Sequence, residues 1–64
     1  MSNREWLTAI LRGRSESWDR IAALARRSGR KADAVKNELV RMFRLELVTV
    51  HNGKYALART RLFG

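Results

Sequence analysis

The amino-acid sequence predicts an α+β fold, mainly α, in which three helices are followed by a two-stranded β-hairpin. Apolar residues recur at helical spacing through three segments separated by Gly13 and Gly29, and the spacing shortens to every second residue beyond residue 46. Asn52-Gly53 divides that alternating stretch in two, and this dipeptide favours a two-residue hairpin turn because both residues tolerate positive φ. The 64 residues read as one domain without internal repeat, linker or proline. A chain of this length hides only about 60% of the surface its unfolded form exposes, which argues against an enclosed catalytic cavity.

Helix 1 is expected over about 3–12. Ser2 and Glu5 have the spacing of a capping box, in which the serine oxygen accepts from a first-turn amide and the glutamate accepts from the cap amide. Trp6, Ala9 and Ile10 form the main apolar stripe, Leu7 and Leu11 lie in a second stripe beside it, and Gly13 ends the helix. Arg14-Ser15-Glu16-Ser17 is a polar connection in which Ser15 or Ser17 caps the second helix, and the segment through Trp18 is a weak strand at best. Helix 2, about 18–28, turns Trp18, Ile21, Ala22, Leu24 and Ala25 inward and Asp19, Arg20, Ala23, Arg26 and Arg27 outward, with Glu16 spaced to pair with Arg20.

Helix 3, about 32–45, carries Val35, Leu39, Met42 and Leu45 on one side. At about 100° per residue, Asp33, Lys36, Asn37, Arg41 and Arg44 fall on the opposite arc, with Val40 inside that arc and Phe43 at its border. The hairpin, about 47–58, is expected to pair His51 with Lys54, Val50 with Tyr55, Thr49 with Ala56 and Val48 with Leu57. That register collects Val48, Val50, Tyr55 and Leu57 on one face. The tail from Arg59 to Gly64 has no clear period, although Leu62 and Phe63 are placed to fold back onto the domain.

Composition removes several function classes. Without cysteine there is neither a disulfide nor a thiolate metal site, and a single histidine supplies no zinc ligand set, so no metal or cofactor is expected. The longest apolar runs fall far short of the ~20 residues of a membrane span. No signal-like apolar stretch follows Met1, and a cytoplasmic location is expected. No serine has a base and orienter, no glycine-rich phosphate loop is present, and the acids Glu5, Glu16, Asp19, Asp33, Glu38 and Glu46 stand mostly at caps or pairing positions. An enzyme is not expected. What stands out is charge: 14 basic against 6 acidic residues, formally +8, with arginine outnumbering lysine eleven to three and a pI near 11.6. This is the footprint of a nucleic-acid binder, shared with ribosomal proteins, anionic-membrane binders and proteins that grip acidic partners.

Three helices, the last two joined by a tight glycine-containing turn, followed by a β-hairpin, is the order of a winged helix-turn-helix. Ile21-Ala22-Ala23-Leu24-Ala25-Arg26-Arg27-Ser28-Gly29, Ala34-Val35 and Leu39, Leu45-Glu46-Leu47-Val48, and Asn52-Gly53-Lys54-Tyr55-Ala56-Leu57 resemble the DNA-binding domain of bacterial and archaeal winged-helix regulators, in particular the IclR-like pattern. The resemblance runs without a gap over about 19–58. It departs from that pattern twice. Glu46 stands where such regulators commonly have glycine, which predicts a looser exit from helix 3, and Arg30-Lys31-Ala32-Asp33 lacks the usual serine or threonine cap. Ser28 or Asp33 is left to compensate, or the first turn donates its amides to a phosphate.

The resemblance implies a recognition helix in the major groove, with Ala32, Asp33, Lys36, Asn37, Val40, Arg41 and Arg44 at base edges or flanking phosphates. Arginine and lysine suit guanine acceptors, asparagine suits adenine, and valine methyls suit thymine, whereas Asp33 repels phosphate and suits cytosine or the helix dipole. Arg26, Arg27, Arg30 and Lys31 crowd the turn where backbone phosphates lie, and they equally suit the dipole at the end of helix 2. Lys54 at the hairpin tip completes the set, with Arg59 and Arg61 beyond it. His51 is most simply an exposed neutral side chain. Trp6, Trp18 and Tyr55 fall on apolar faces, which favours core packing over base stacking.

The expected function is therefore double-stranded DNA binding by a small transcriptional regulator, without a small-molecule effector. A protein-interaction winged helix and an RNA-binding one are the competing readings. Leu7 and Leu11, Phe43, and Leu62 and Phe63 exceed what the core obviously needs, and this predicts a homodimer through helix 1 and the tail.

Overall fold

The structure, a computed structural model, describes residues 1–58. Three helices, α1 (Asn3–Leu11), α2 (Trp18–Arg27) and α3 (Ala32–Arg44), are joined by three strands, β1 (Ser15–Ser17), β2 (Val48–His51) and β3 (Lys54–Leu57). The class is α+β, mainly helical. Each helix is shorter at its end than its apolar pattern suggests, because Arg12, Ser28 and Leu45 serve as C-caps.

The capping box forms: the Ser2 amide donates to Glu5 Oε1 at 2.9 Å and the Glu5 amide donates to Ser2 Oγ at 3.1 Å. After α1 the chain turns through Arg12 (φ −67°, ψ 119°) and Gly13 (φ 71°), with the Arg14 amide donating to the Leu11 carbonyl at 3.3 Å. These are type II turn angles, and the third residue of that turn needs positive φ. Ser17, rather than Ser15, caps α2, accepting from the Arg20 amide. Glu16 pairs with Arg14 at 3.6 Å, not with Arg20, because it belongs to a strand and has left the helical spacing.

That strand is the main departure from the expected topology. β1 adds to the hairpin as a third strand, in the order β1-β3-β2, with Ser15 opposite Ala56, Glu16 opposite Tyr55 and Ser17 opposite Lys54. Serine and glutamate have little intrinsic preference for strands. The free edge of β3 supplies the pairing that the local sequence does not signal. Between β2 and β3 all four expected pairs form, around Asn52 (φ 53°) and Gly53 (φ 75°), and the Ala58 amide donates a hydrogen bond to the Leu47 carbonyl at 2.9 Å.

The core is one cluster of Trp6, Leu7, Leu11, Ile21, Ala25, Val35, Leu39, Met42 and Val48, with Ile10, Trp18, Leu24, Tyr55 and Leu57 packed against it. Helix 1 faces differently from its expected orientation. Leu7 and Leu11 are buried at its centre, at 0% and 1% exposure, while Ala9 is exposed. The helix packs on both α3 and β3, and this widens the buried arc toward the second stripe. An interface through Leu7 and Leu11 is thereby overturned, since neither reaches the surface. Leu62 and Phe63, the other half of that expectation, lie outside the described residues. Leu45, expected inside, is 55% exposed, because the cap turns it off the stripe of Val35, Leu39 and Met42.

Two helices end in the same way. At α2 the Gly29 amide donates to Arg26 and the Arg30 amide to Ala25, with Gly29 at φ 77°. At α3 the Glu46 amide donates to Phe43 (3.0 Å) and the Leu47 amide to Met42 (2.8 Å), with Glu46 at φ 62°. Both are Schellman motifs. The exit from α3 is thus as tight as a glycine would make it, contrary to the looser junction expected, and Glu46 bears the left-handed conformation that costs an L-residue roughly 1–2 kcal/mol. Glu46→Gly relieves that strain while adding unfolded-chain entropy of roughly 0.5–1 kcal/mol, so a net stabilisation of up to about 1 kcal/mol is expected. Thermal unfolding of the variant checks this, and a lower midpoint would contradict it.

Candidate nucleic-acid interface

α3 has the longest exposed polar face in the described chain. Its stripe of Val35, Leu39 and Met42 faces α1, α2 and β2, which turns Asp33, Asn37, Val40, Arg41 and Arg44 outward, all exposed. Asn37, Val40, Arg41 and Arg44 line one shallow depression on this face. At the start of α3, Lys31 is the cap and provides no side-chain cap bond. Neither Ser28 nor Asp33 compensates, and in the first hydrogen bond of the helix the Val35 amide donates to the Lys31 carbonyl at 3.1 Å. The opening amides of α3 are left without a side-chain cap, and Lys31 at the cap position is exposed, as are Arg26 and Arg27 at the end of α2.

The structure divides the candidate cations into two groups. Arg26, Arg27, Lys31, Arg44 and Lys54 are exposed and have no ion pair among the described residues. Arg30, by contrast, is half-buried against α1. It donates to Asn3 Oδ1 at 2.7 Å and to the Met1 carbonyl at 3.1 Å, and its guanidinium lies 5.4 Å from the Trp6 ring centroid. Lys36 is also half-buried, with its ammonium 4.7 Å from the centroid of Trp18. Trp18 itself follows directly on Ser17, the strand residue opposite Lys54. Ala32 is half-buried at the first turn.

Arg41 is exposed and held by Glu38, which lies between it and Arg4 of α1. Arg4 Nε donates to Glu38 Oε2 at 2.7 Å and Arg41 donates to Oε1. Glu38 is the residue whose part in positioning Arg41 was not singled out from the sequence, although its spacing of three to Arg41 carries the signal. The hydrogen bond from Arg4, ahead of that from Arg41, holds the Glu38 carboxyl below its ordinary value of 4.5. Glu5 is lowered too, first by its bond with the Ser2 backbone. Asp33 stands in the first turn of α3, where an acid favours the helix dipole. Trp6 is buried and Trp18 and Tyr55 half-buried against the core, as their apolar faces predict. No group of His, Cys, Asp and Glu suited to a metal ion occurs among the described residues, and no described helix is long and apolar enough to cross a membrane.

Comparison of the chain with family models, curated proteins and solved structures finds no match.

The division of the cations is open to test. Arg30→Ala is expected to lower the unfolding midpoint by losing about 1–2 kcal/mol of stacking and hydrogen bonding, whereas Arg27→Ala leaves it within experimental error. Equal effects would refute the division.

The carboxylates set the acid limit of stability. Because Glu38 and Glu5 are lowered in the folded chain, their stabilisation is complete above the ordinary carboxylate value and is lost as pH falls through the lowered ones. Urea titrations from neutral pH down to pH ~3 should show stability declining at the acid end. Glu38→Gln should flatten part of that decline and leave the part due to Glu5.

Proposed function

We infer that the chain binds double-stranded DNA as a winged helix-turn-helix domain, acting as a small transcriptional regulator. In this reading α3 enters the major groove, while the turn at residues 28–31 and the hairpin rest on the sugar-phosphate backbone. The observation that carries it is the outer face of α3. It joins an amide side chain, a branched apolar one and two guanidinium groups, Asn37, Val40, Arg41 and Arg44, on a surface that no other described element covers. Asparagine offers the paired donor and acceptor that adenine needs, arginine the donors for guanine, and valine a partner for the thymine methyl.

The remaining roles follow from exposure. Arg26, Arg27 and Lys31, with the uncapped opening amides of α3, suit a phosphate at one end of the face. Lys54 suits the backbone beside the hairpin tip, and Lys36, held on Trp18, suits a flanking phosphate. Arg30 is better assigned to holding α1 than to contacting DNA. The net charge of +8 supplies the long-range attraction.

Salt titration of binding to duplex DNA, duplex RNA and single strands tests the reading. With roughly four to six phosphates neutralised, log affinity for duplex DNA should fall against log salt with a slope of about −4 to −5. A slope near zero, or a preference for RNA, would overturn it. Asn37→Ala should cost about 1–3 kcal/mol on the preferred site and little on others. Arg44→Ala should weaken binding without moving the unfolding midpoint, since its side chain pairs with no described residue.

A further inference from the structure

Resting on the duplex-DNA reading above, we propose that Glu38 determines sequence selectivity: by holding Arg41 in one orientation, it makes Arg41 the reader of a guanine and withholds it from phosphates in general. Arg44, on the same face, is left to follow the phosphates.

The two arginines line one depression on α3 and differ in what holds them. Arg44 has no ion pair among the described residues. Arg41, three residues earlier, donates through Nη1 to Glu38 Oε1. Its Nε and Nη2 make no other hydrogen bond among the described residues. A guanidinium carries its donors in a rigid planar fork, so fixing one limb sets the direction of the others.

Glu38 is itself held. Its side chain is only 12% exposed, between the packed helices α1 and α3, and its second oxygen, Oε2, accepts from Arg4 Nε of α1 at 2.7 Å. The hydrogen bond from Arg4 keeps the Glu38 carboxyl below its ordinary value, so it is an anion at neutral pH. Both oxygens are engaged by arginines and little of the side chain reaches the surface. Glu38 therefore acts through Arg41 and is a positioning residue.

Two effects follow from this arrangement. A free arginine loses side-chain freedom when it binds, and Glu38 has already restricted Arg41. That advantage is realised only where an acceptor lies in the preset direction. Elsewhere the carboxylate beside Arg41 offsets its charge and weakens its attraction to phosphate, so that arbitrary duplex is disfavoured. Guanine presents O6 and N7 together to such a fork in the major groove. Asn37, about one turn before Arg41, lines the same depression, and the guanine is expected close to the adenine that Asn37 suits.

Selection from a random-sequence duplex pool, followed by affinity measurements on the selected duplex and on one lacking the selected site, tests this. The wild type is expected to select a site with a guanine whose preference disappears in Arg41→Ala. Glu38→Gln, with its unfolding midpoint checked, is expected to lower the preference for that same guanine by about tenfold. It should also raise affinity for the duplex lacking the site, because a negative charge is removed from the face. In the Arg41→Ala background, Glu38→Gln should change the guanine preference no further. Arg4→Ala frees Oε2 without removing the carboxylate and should weaken the same preference, which keeps the proposal testable if Glu38→Gln does not fold. A guanine preference unchanged in Glu38→Gln, or in Arg4→Ala where the former does not fold, overturns the proposal. So does a loss spread evenly over every position of the site, the result of a general loosening of α3. Duplex binding without any Arg41-dependent position overturns it too and leaves the proposed function standing, whereas absence of duplex binding removes both.

Discussion

Burial of Val35, Leu39 and Met42 on one side of α3 is the constraint from which the other contacts take their places. The chain has no cysteine, and its core must hold it together by apolar packing alone. α3 packs at once against α1, α2 and β2, so its stripe is the common floor for Leu7 and Leu11, Ile21 and Ala25, and Val48. Truncating one such residue leaves a cavity costing about 2–5 kcal/mol, a large part of the stability of so small a domain. Rotation of α3 is thereby resisted on three sides. The direction in which Asn37, Val40, Arg41 and Arg44 point is a consequence of that packing.

Charge is organised around the same helix. Glu5 closes a cap, Glu16 pairs with Arg14, and Glu38 joins Arg4 to Arg41. Asp19 and Asp33 stand in the first turns of α2 and α3, where the dipole favours them. Five of the six acids thus have a local structural use. Much of the positive excess is left as an unneutralised field on the surface, and only some of the cations are drawn into the fold. Arg30 and Lys36 are the clearest of these, each over an indole ring that is itself packed on the core.

Asn37 and Phe43 lie on different sides of α3, six residues and about a third of a turn apart. Arg44 lies between them, lining both the depression on α3 and the hollow beside β2.

The sequence by itself determined what depends on neighbours in the chain: the capping box at Ser2, the glycine exit at Gly29, the outward face of α2, the stripe of α3 and the full register set by Asn52-Gly53. These follow from dihedral preference and from periods of 3.6 and 2, which a window of a few residues contains. The candidate face of α3 was legible for the same reason. Tertiary structure decided the rest. β1 exists because β3 has an edge to offer; Leu7 and Leu11 rather than Ala9 are buried because α1 lies against both α3 and β3; Arg30 leaves the candidate site because Trp6 and Asn3 come within its reach. Glu46 adopts a conformation suited to glycine because two hydrogen bonds and the docking of β2 hold it there. In each case the partner is distant in sequence, and local preference carries no information about it.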